Sequence, residues 1–223
     1  MKKRILITGA SGMIGSAILK QALVSQEISE VISLVRKTSN HQDKKLKEIT
    51  IKDFSDYSNY QSLFENIDIA YFCIGVYTGQ VPDTQFKQIT VDYTVAFVKQ
   101  IKKNSPAARL CFLSGAGADL TEKSKTSFAL YKGMAENSIA ESGLDYYSFR
   151  PGYIYPSIPR KEPNVMYKIM RFLYPVLKKL GTKYSITSKY LAEAMFLIGL
   201  KGYATKTLEN QNIVNFVQQN KGE

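Results

Sequence analysis

Lys3-Arg4-Ile5-Leu6-Ile7-Thr8-Gly9-Ala10-Ser11-Gly12-Met13-Ile14-Gly15-Ser16-Ala17-Ile18-Leu19 is the stretch whose reading decides the fold. Ile5 to Ile7 is a short apolar run of buried-strand character. Glycines follow at positions 9, 12 and 15. Met13, Ile14, Ala17 and Ile18 then open a helical period. Strand, glycine turn and helix start together are the context in which a glycine pattern points to phosphate binding. Gly9 allows the tight turn, Gly12 lets the backbone approach a pyrophosphate, and Gly15 lets helix and strand pack closely. Free N–H groups at the helix start favour an anion there. The phosphate-side candidates are therefore Thr8, Gly9, Ser11, Gly12, Met13, Ile14 and Gly15. The alternative is a tight strand–helix turn that binds nothing.

Outward from this stretch, strands and helices alternate at intervals of roughly 30 residues. Val31–Arg36 reads as the second strand, and 37–48 as a polar loop. A short third strand covers 49–51. Residues 58–64 make a short helix, and 67–75 a strand ending in Gly75. A long helix runs from Thr84 or Gln85 to Asn104. The next strand covers 108–114, a helix 127–142 and a sixth strand 145–150, broken by Pro151-Gly152. The alternation predicts an α/β fold: a doubly wound parallel sheet with ligand sites at the carboxyl ends of its strands. From Tyr153 onward the pattern changes, with prolines at 156, 159, 163 and 175. Basic helices are expected at 164–179 and about 188–199, then a short strand near Thr207-Leu208 and a helix from about Asn212. The expected organisation is a single domain over 1–223. Its core is about 1–156 plus a closing segment of about 186–223, with a small helical cap at about 157–185.

The 223 residues suffice for one α/β domain with a sizeable core. No apolar run approaches the ~18 residues that span a membrane. The basic start leads straight into the glycine turn, so no signal peptide is expected. Cys73 and Cys111 sit in apolar runs and read as buried free thiols of a reducing, cytoplasmic compartment. His41 is the lone histidine, which argues against histidine triads and zinc sites. The net charge of +11 fits a lysine-rich solvated surface or, alternatively, an anionic partner: a phosphorylated cofactor, an acidic lipid surface or nucleic acid. No helix-turn-helix, zinc-finger or RNA-recognition pattern accompanies it, so no nucleic-acid partner is expected. The apolar and basic stretch from Tyr167 to Leu180 has two readings: a helix roofing the substrate cleft, or one lying on an anionic membrane surface.

The spacing Thr8-Gly-x-x-Gly-x-x-Gly15 resembles that of extended and atypical short-chain dehydrogenases/reductases. The likeness runs from about residue 3 to 156, with a weaker tail at 186–217. It is greatest to the epimerase/dehydratase-like and Tat-interacting-protein oxidoreductase branch. It implies a Rossmann-like fold and an NAD(P) cofactor. In that frame Asp53-Phe54 lies near the adenine, and Cys73-Ile74-Gly75 lies over the cofactor. Ser114 stands where the family carries its catalytic serine or threonine. Lys132, in Lys132-Gly133-Met134-Ala135-Glu136, stands where it carries the catalytic lysine. Arg150-Pro151-Gly152 resembles the family's turn after strand six, with Tyr153 next.

An NAD enzyme usually carries a carboxylate at the end of strand two. Here that place holds Arg36, with Lys37 next and Ser39 close by. A guanidinium pairs bidentately with a 2′-phosphate, so NADP(H) is expected over NAD(H). The alternative is that Arg36 stacks on adenine or faces solvent. The family's proton donor is a tyrosine four residues before the lysine; here that position is Phe128. Tyr131 is adjacent to Lys132 and so points about 100° away around the helix. Three readings stay open. The chain is a reductase or epimerase on a small carbonyl or hydroxyl compound, with Ser114, Lys132 and another acid such as Tyr131, Tyr77 or Tyr153. It is a silent NADP(H)-binding sensor or scaffold. Or it is a non-redox enzyme that keeps the cofactor as a structural part. A monomer or weak homodimer with a small-molecule substrate is expected.

Overall fold

A computed structural model describes residues 1–39, 41–158, 168–174 and 183–220. Strand β1 (Lys3–Thr8) leads through the glycine turn into helix α1 (Met13–Val24). Then come β2 (Ile28–Val35), β3 (Leu46–Thr50), a 3-10 turn (Ser58–Phe64) and β4 (Ile69–Phe72). Helix α2 (Asp83–Lys87) continues through a π-helical segment (Gln88–Asp92) into α3 (Tyr93–Asn104). Next are β5 (Arg109–Leu113), α4 (Ser127–Glu141), β6 (Asp145–Arg150) and β7 (Tyr153–Tyr155). Residues 168–174 are helical (α5). The chain closes with β8 (Ser185–Thr187), α6 (Ser188–Lys201), β9 (Thr207–Glu209) and α7 (Asn210–Gln219).

Seven strands form one sheet in the order β3-β2-β1-β4-β5-β6-β9. Every pairing in it is parallel. This is the Rossmann-like α/β fold. Side chains alternate across the strands, so β1 feeds two cores. Ile5 and Ile7 pack with Ile14, Ile18, Leu191 and Met195 of α1 and α6. Leu6 packs on the other face with Phe72, Phe97, Phe112 and Ile139, beneath α3 and α4. Burial on both faces is what a parallel sheet requires. The strand order reverses between β1 and β4, and there the crevice at the carboxyl ends opens.

The departures from expectation have physical causes. Strand β3 begins at Leu46, inside the expected polar loop, because it is an edge strand that leaves Lys47 exposed. The expected long helix is split by the π-helical segment. Strands β7 and β8 pair with each other over three residues each, too short to give a period. The expected helix 164–179 is seen as α5 at 168–174, and its remainder lies outside the described residues. So does most of the expected cap. No described helix is long and apolar enough to cross a membrane.

Candidate cofactor cleft

Backbone approach dictates the glycine turn. Gly9 has φ +74°, and a Cβ there would lie 2.6 Å from the carbonyl carbon of Cys73. A Cβ on Gly15 would lie 2.3 Å from the Gly9 oxygen. Gly12 differs: its added Cβ meets only the Gly9 oxygen, at 3.1 Å, and otherwise faces open space. Its N–H donates to the Gly9 oxygen at 2.9 Å. No side chain caps α1 at Gly12, and no acid stands in its first turn. The N–H groups there meet no carboxylate from the helix itself, which suits a pyrophosphate. Thr8 takes no side-chain part, because its buried hydroxyl donates to the Tyr71 carbonyl at 3.4 Å.

The turn opens into a cleft of about 290 Å³. Its walls come from the ends of three strands: Cys73-Ile74-Gly75 after β4, Ser114-Gly115 after β5, and Pro151-Gly152-Tyr153 after β6. Helix α4 adds Phe128 and Lys132, and the loop after β4 adds Tyr77. Gly12, Met13 and Ile14 form the floor on the α1 side. The structure thus brings together the glycine turn and the predicted reactive end.

Lys132 is buried, and its ammonium donates to the Leu113 carbonyl at 2.9 Å. It lies 4.9 Å from the Phe112 ring centroid. Burial pulls its pKa down to about 8, against the opposing pull of the Glu136 carboxylate. Ser114 donates its hydroxyl to Glu136. Arg150 grips the same carboxylate through Nε at 2.9 Å and Nη2 at 2.8 Å. Its Nη1 reaches Glu209 at 3.1 Å. Glu136 is only 3% exposed. A buried carboxylate needs this many donors to be tolerated. The Ser114 proton is thereby committed, and the hydroxyl offers lone pairs to any further partner. Sequence reasoning missed Glu136. Its signal was the i, i+4 spacing from Lys132, which puts both on one helix face.

Phe128 lies against Gly115, where an added Cβ would fall 2.4 Å from its ring. Tyr131 is not among the residues lining the cleft. Its hydroxyl donates to Asp83 at 2.6 Å, and its ring packs edge-on against Phe86 at 5.7 Å. The Asp83 hydrogen bond raises its pKa. The structure therefore does not bring Tyr131 to Lys132 at the cleft. The phenols it brings there are Tyr77 and Tyr153. Cys73 lines the cleft as a thiol whose pKa burial pushes up to about 12, so it is no nucleophile.

At the other end of the turn, Arg36 and Lys37 are exposed just past β2. Arg36 is close enough to Tyr93 to act on its phenol electrostatically. Asp53 accepts from Ser55 N at 2.8 Å and Ser55 Oγ at 2.7 Å, which hold its carboxyl below the usual range. Phe54 is core, packed edge-on to Tyr57 and tilted against Tyr93. Ser39 is tied to Glu48 at 2.7 Å. Among the described residues no cluster of His, Cys, Asp and Glu could hold a metal ion.

A family described as NAD(P)H-binding matches residues 9–196 in sequence. The chain belongs to that family. It is 27% identical over 158 residues to protein HTATIP2 of Rattus norvegicus, covering 68% of this chain and 63% of that protein. The chain thus spans under two thirds of that relative. In structure it is similar to the Bordetella bronchiseptica enzyme WbmH in complex with NAD+, with a TM-score of 0.71 and 17% identity over 94% of this chain and 75% of the other. It is also similar to the UDP-N-acetylglucosamine 4-epimerase of Methanobrevibacter ruminantium M1, with a TM-score of 0.70 and 18% identity over 100% of this chain and 84% of the other. These two likenesses speak to the fold. With the family match and the HTATIP2 homology, they agree with the resemblance to atypical short-chain dehydrogenases/reductases.

Proposed function

We propose that this protein binds NADP(H) in the cleft and acts as a reductase- or epimerase-like oxidoreductase on a small carbonyl or hydroxyl compound. The observation that carries the reading is the convergence of the Gly9–Gly15 turn, Lys132 and the Tyr77 and Tyr153 phenols on one cleft. When bound, the nicotinamide supplies or accepts a hydride. The chain's own residues do the rest. The α1 N-terminus holds the pyrophosphate, and Gly12 leaves room for it. Lys132, with a pKa of about 8, would present a positive charge to a cofactor bound in the cleft at neutral pH. Tyr77 or Tyr153 moves the proton that Phe128 cannot. Two buried free thiols suit a reducing compartment such as the cytoplasm.

The NADP preference rests on Arg36, exposed at the end of β2 where an NAD enzyme would carry an acid. Arg36→Asp is expected to weaken NADPH binding at least about ten-fold while leaving NADH nearly unchanged. Calorimetric titration of both nucleotides checks this, and equal losses would remove the preference.

One set of observations favours a second reading, a silent NADP(H) sensor. Phe128 covers Gly115, and the Ser114 proton is already given to Glu136. Phe128→Tyr separates the two readings. A silenced site regains NADPH-dependent carbonyl reduction, by about 100-fold or more over the wild type. A site already served by Tyr77 or Tyr153 shows turnover in the wild type and little gain. The assay is NADPH absorbance against a panel of aldehydes and ketones.

A further inference from the structure

Helix α5 turns an apolar face outward. Ile169, Phe172 and Leu173 stand at i, i+3 and i+4, one face of a helix. They are 48%, 84% and 41% exposed. Two more exposed apolar side chains, Ile158 and Tyr184, belong to the same C-terminal region. The opposite side of α5 is anchored: Tyr174 stacks on Tyr155 at 3.8 Å between centroids and lies 6.4 Å from Tyr153. Arg171 sits over the Tyr155 ring at 6.0 Å. The apolar face is thus held outward by contacts on its far side.

Charge identifies the occupant. Residues 160–183 carry seven basic side chains, Arg160, Lys161, Lys168, Arg171, Lys178, Lys179 and Lys183, against one acid, Glu162; Lys168 and Lys183 are exposed, while Arg171 lies on the anchored side. That segment supplies more than half of the net charge of +11. Apolar side chains within a basic segment match an anionic bilayer, where the apolar groups enter the headgroup boundary and the cations meet lipid phosphates and carboxylates. We propose that the α5 face, Ile169, Phe172 and Leu173, docks this protein onto an anionic lipid surface. Tyr153 lines the cofactor cleft and contacts Tyr174, so docking sets the cleft beside the bilayer.

The test is co-flotation of the full chain with vesicles of phosphatidylcholine alone, or with about a third phosphatidylserine. Phe172→Glu probes the face. Val95→Glu, at an exposed apolar site on α3, is the control. The proposal expects flotation with the anionic vesicles only, release by high salt, and at least a ten-fold fall in bound fraction for Phe172→Glu, as an order of magnitude. Val95→Glu floats as the wild type does. NADPH affinity stays equal in all three proteins, which shows that the fold is intact. No flotation at low salt overturns the proposal, as does equal flotation of Phe172→Glu. A wild-type dimer that Phe172→Glu converts to monomer also overturns it, since a second copy is then the occupant.

Discussion

At Lys132 burial and charge oppose each other. Its ammonium donates to the Leu113 carbonyl and has the Glu136 charge nearby. Burial wins, and the pKa falls from 10.5 to about 8. The consequence for stability has a definite sign. Between about pH 8 and 10.5 the unfolded chain keeps the proton that the folded chain has lost. The unfolded state then binds more protons, so this residue's contribution to stability rises with pH across that window. Lys132→Met removes the dependence. Urea unfolding of both proteins from about pH 7 to about pH 10 should show the wild type gaining on the variant, with a slope on the order of 1 kcal/mol per pH unit. Parallel curves would mean that Lys132 is not desolvated. The same residue shows what the sequence could convey. Lys132 and Ser114 were singled out by the family resemblance, and the structure brings both to the cleft. The Ser114–Glu136–Arg150 chain was not legible, because it joins three separate elements and depends on side-chain direction rather than spacing. Thr8 and Phe54 offer no free side chain to the cleft. Each lies beside the site in sequence, but its side chain is spent on the core.

At the scale of elements, helix α4 is positioned by one close approach. A Cβ on Gly133 would sit 1.8 Å from the Asp119 carbonyl oxygen. Asp119 in turn donates its N–H to Ala129 at 2.9 Å, pinning the loop to the helix that carries Phe128 and Lys132. The obstacle is backbone, so it cannot turn aside as a side chain would. Gly133→Ala is therefore expected to destabilise the protein by about 1–3 kcal/mol and to shift Lys132 within the cleft. Thermal melting and NADPH affinity check this together, and an unchanged melting temperature would contradict the contact. The glycine was visible beside Lys132, but the loop it touches is not foreseeable from spacing. Strands with strong apolar runs were legible nearly to the residue, as with β5 at Arg109–Leu113, expected over 108–114. Edge strand β3 and the β7–β8 pair were poorly legible, because half-exposed or very short strands leave little pattern.

At the scale of the whole molecule, the parallel sheet places four of the candidates at its carboxyl edge. Arg36 follows β2, Cys73 follows β4, Ser114 follows β5 and Pro151 follows β6. Their order in the sheet, read from β2 to β6, is the order in which an extended dinucleotide would meet them, from adenine to nicotinamide. The C-terminal strand β9 joins the sheet next to β6 and brings Glu209 to Arg150. The end of the chain thus supports the Ser114–Glu136–Arg150 side of the cleft. A dinucleotide phosphate is proposed to rest on the turn at Gly12, where an added Cβ would meet only the Gly9 oxygen, at 3.1 Å. Calorimetric titration of NADPH into the wild type and Gly12→Val tests it directly. NADPH is expected to bind the wild type saturably at one site and the variant at least about ten-fold more weakly, while the melting temperature of the free protein reports any cost of the close contact with the Gly9 oxygen. Equal affinity in the two proteins, or no binding to either, would contradict it.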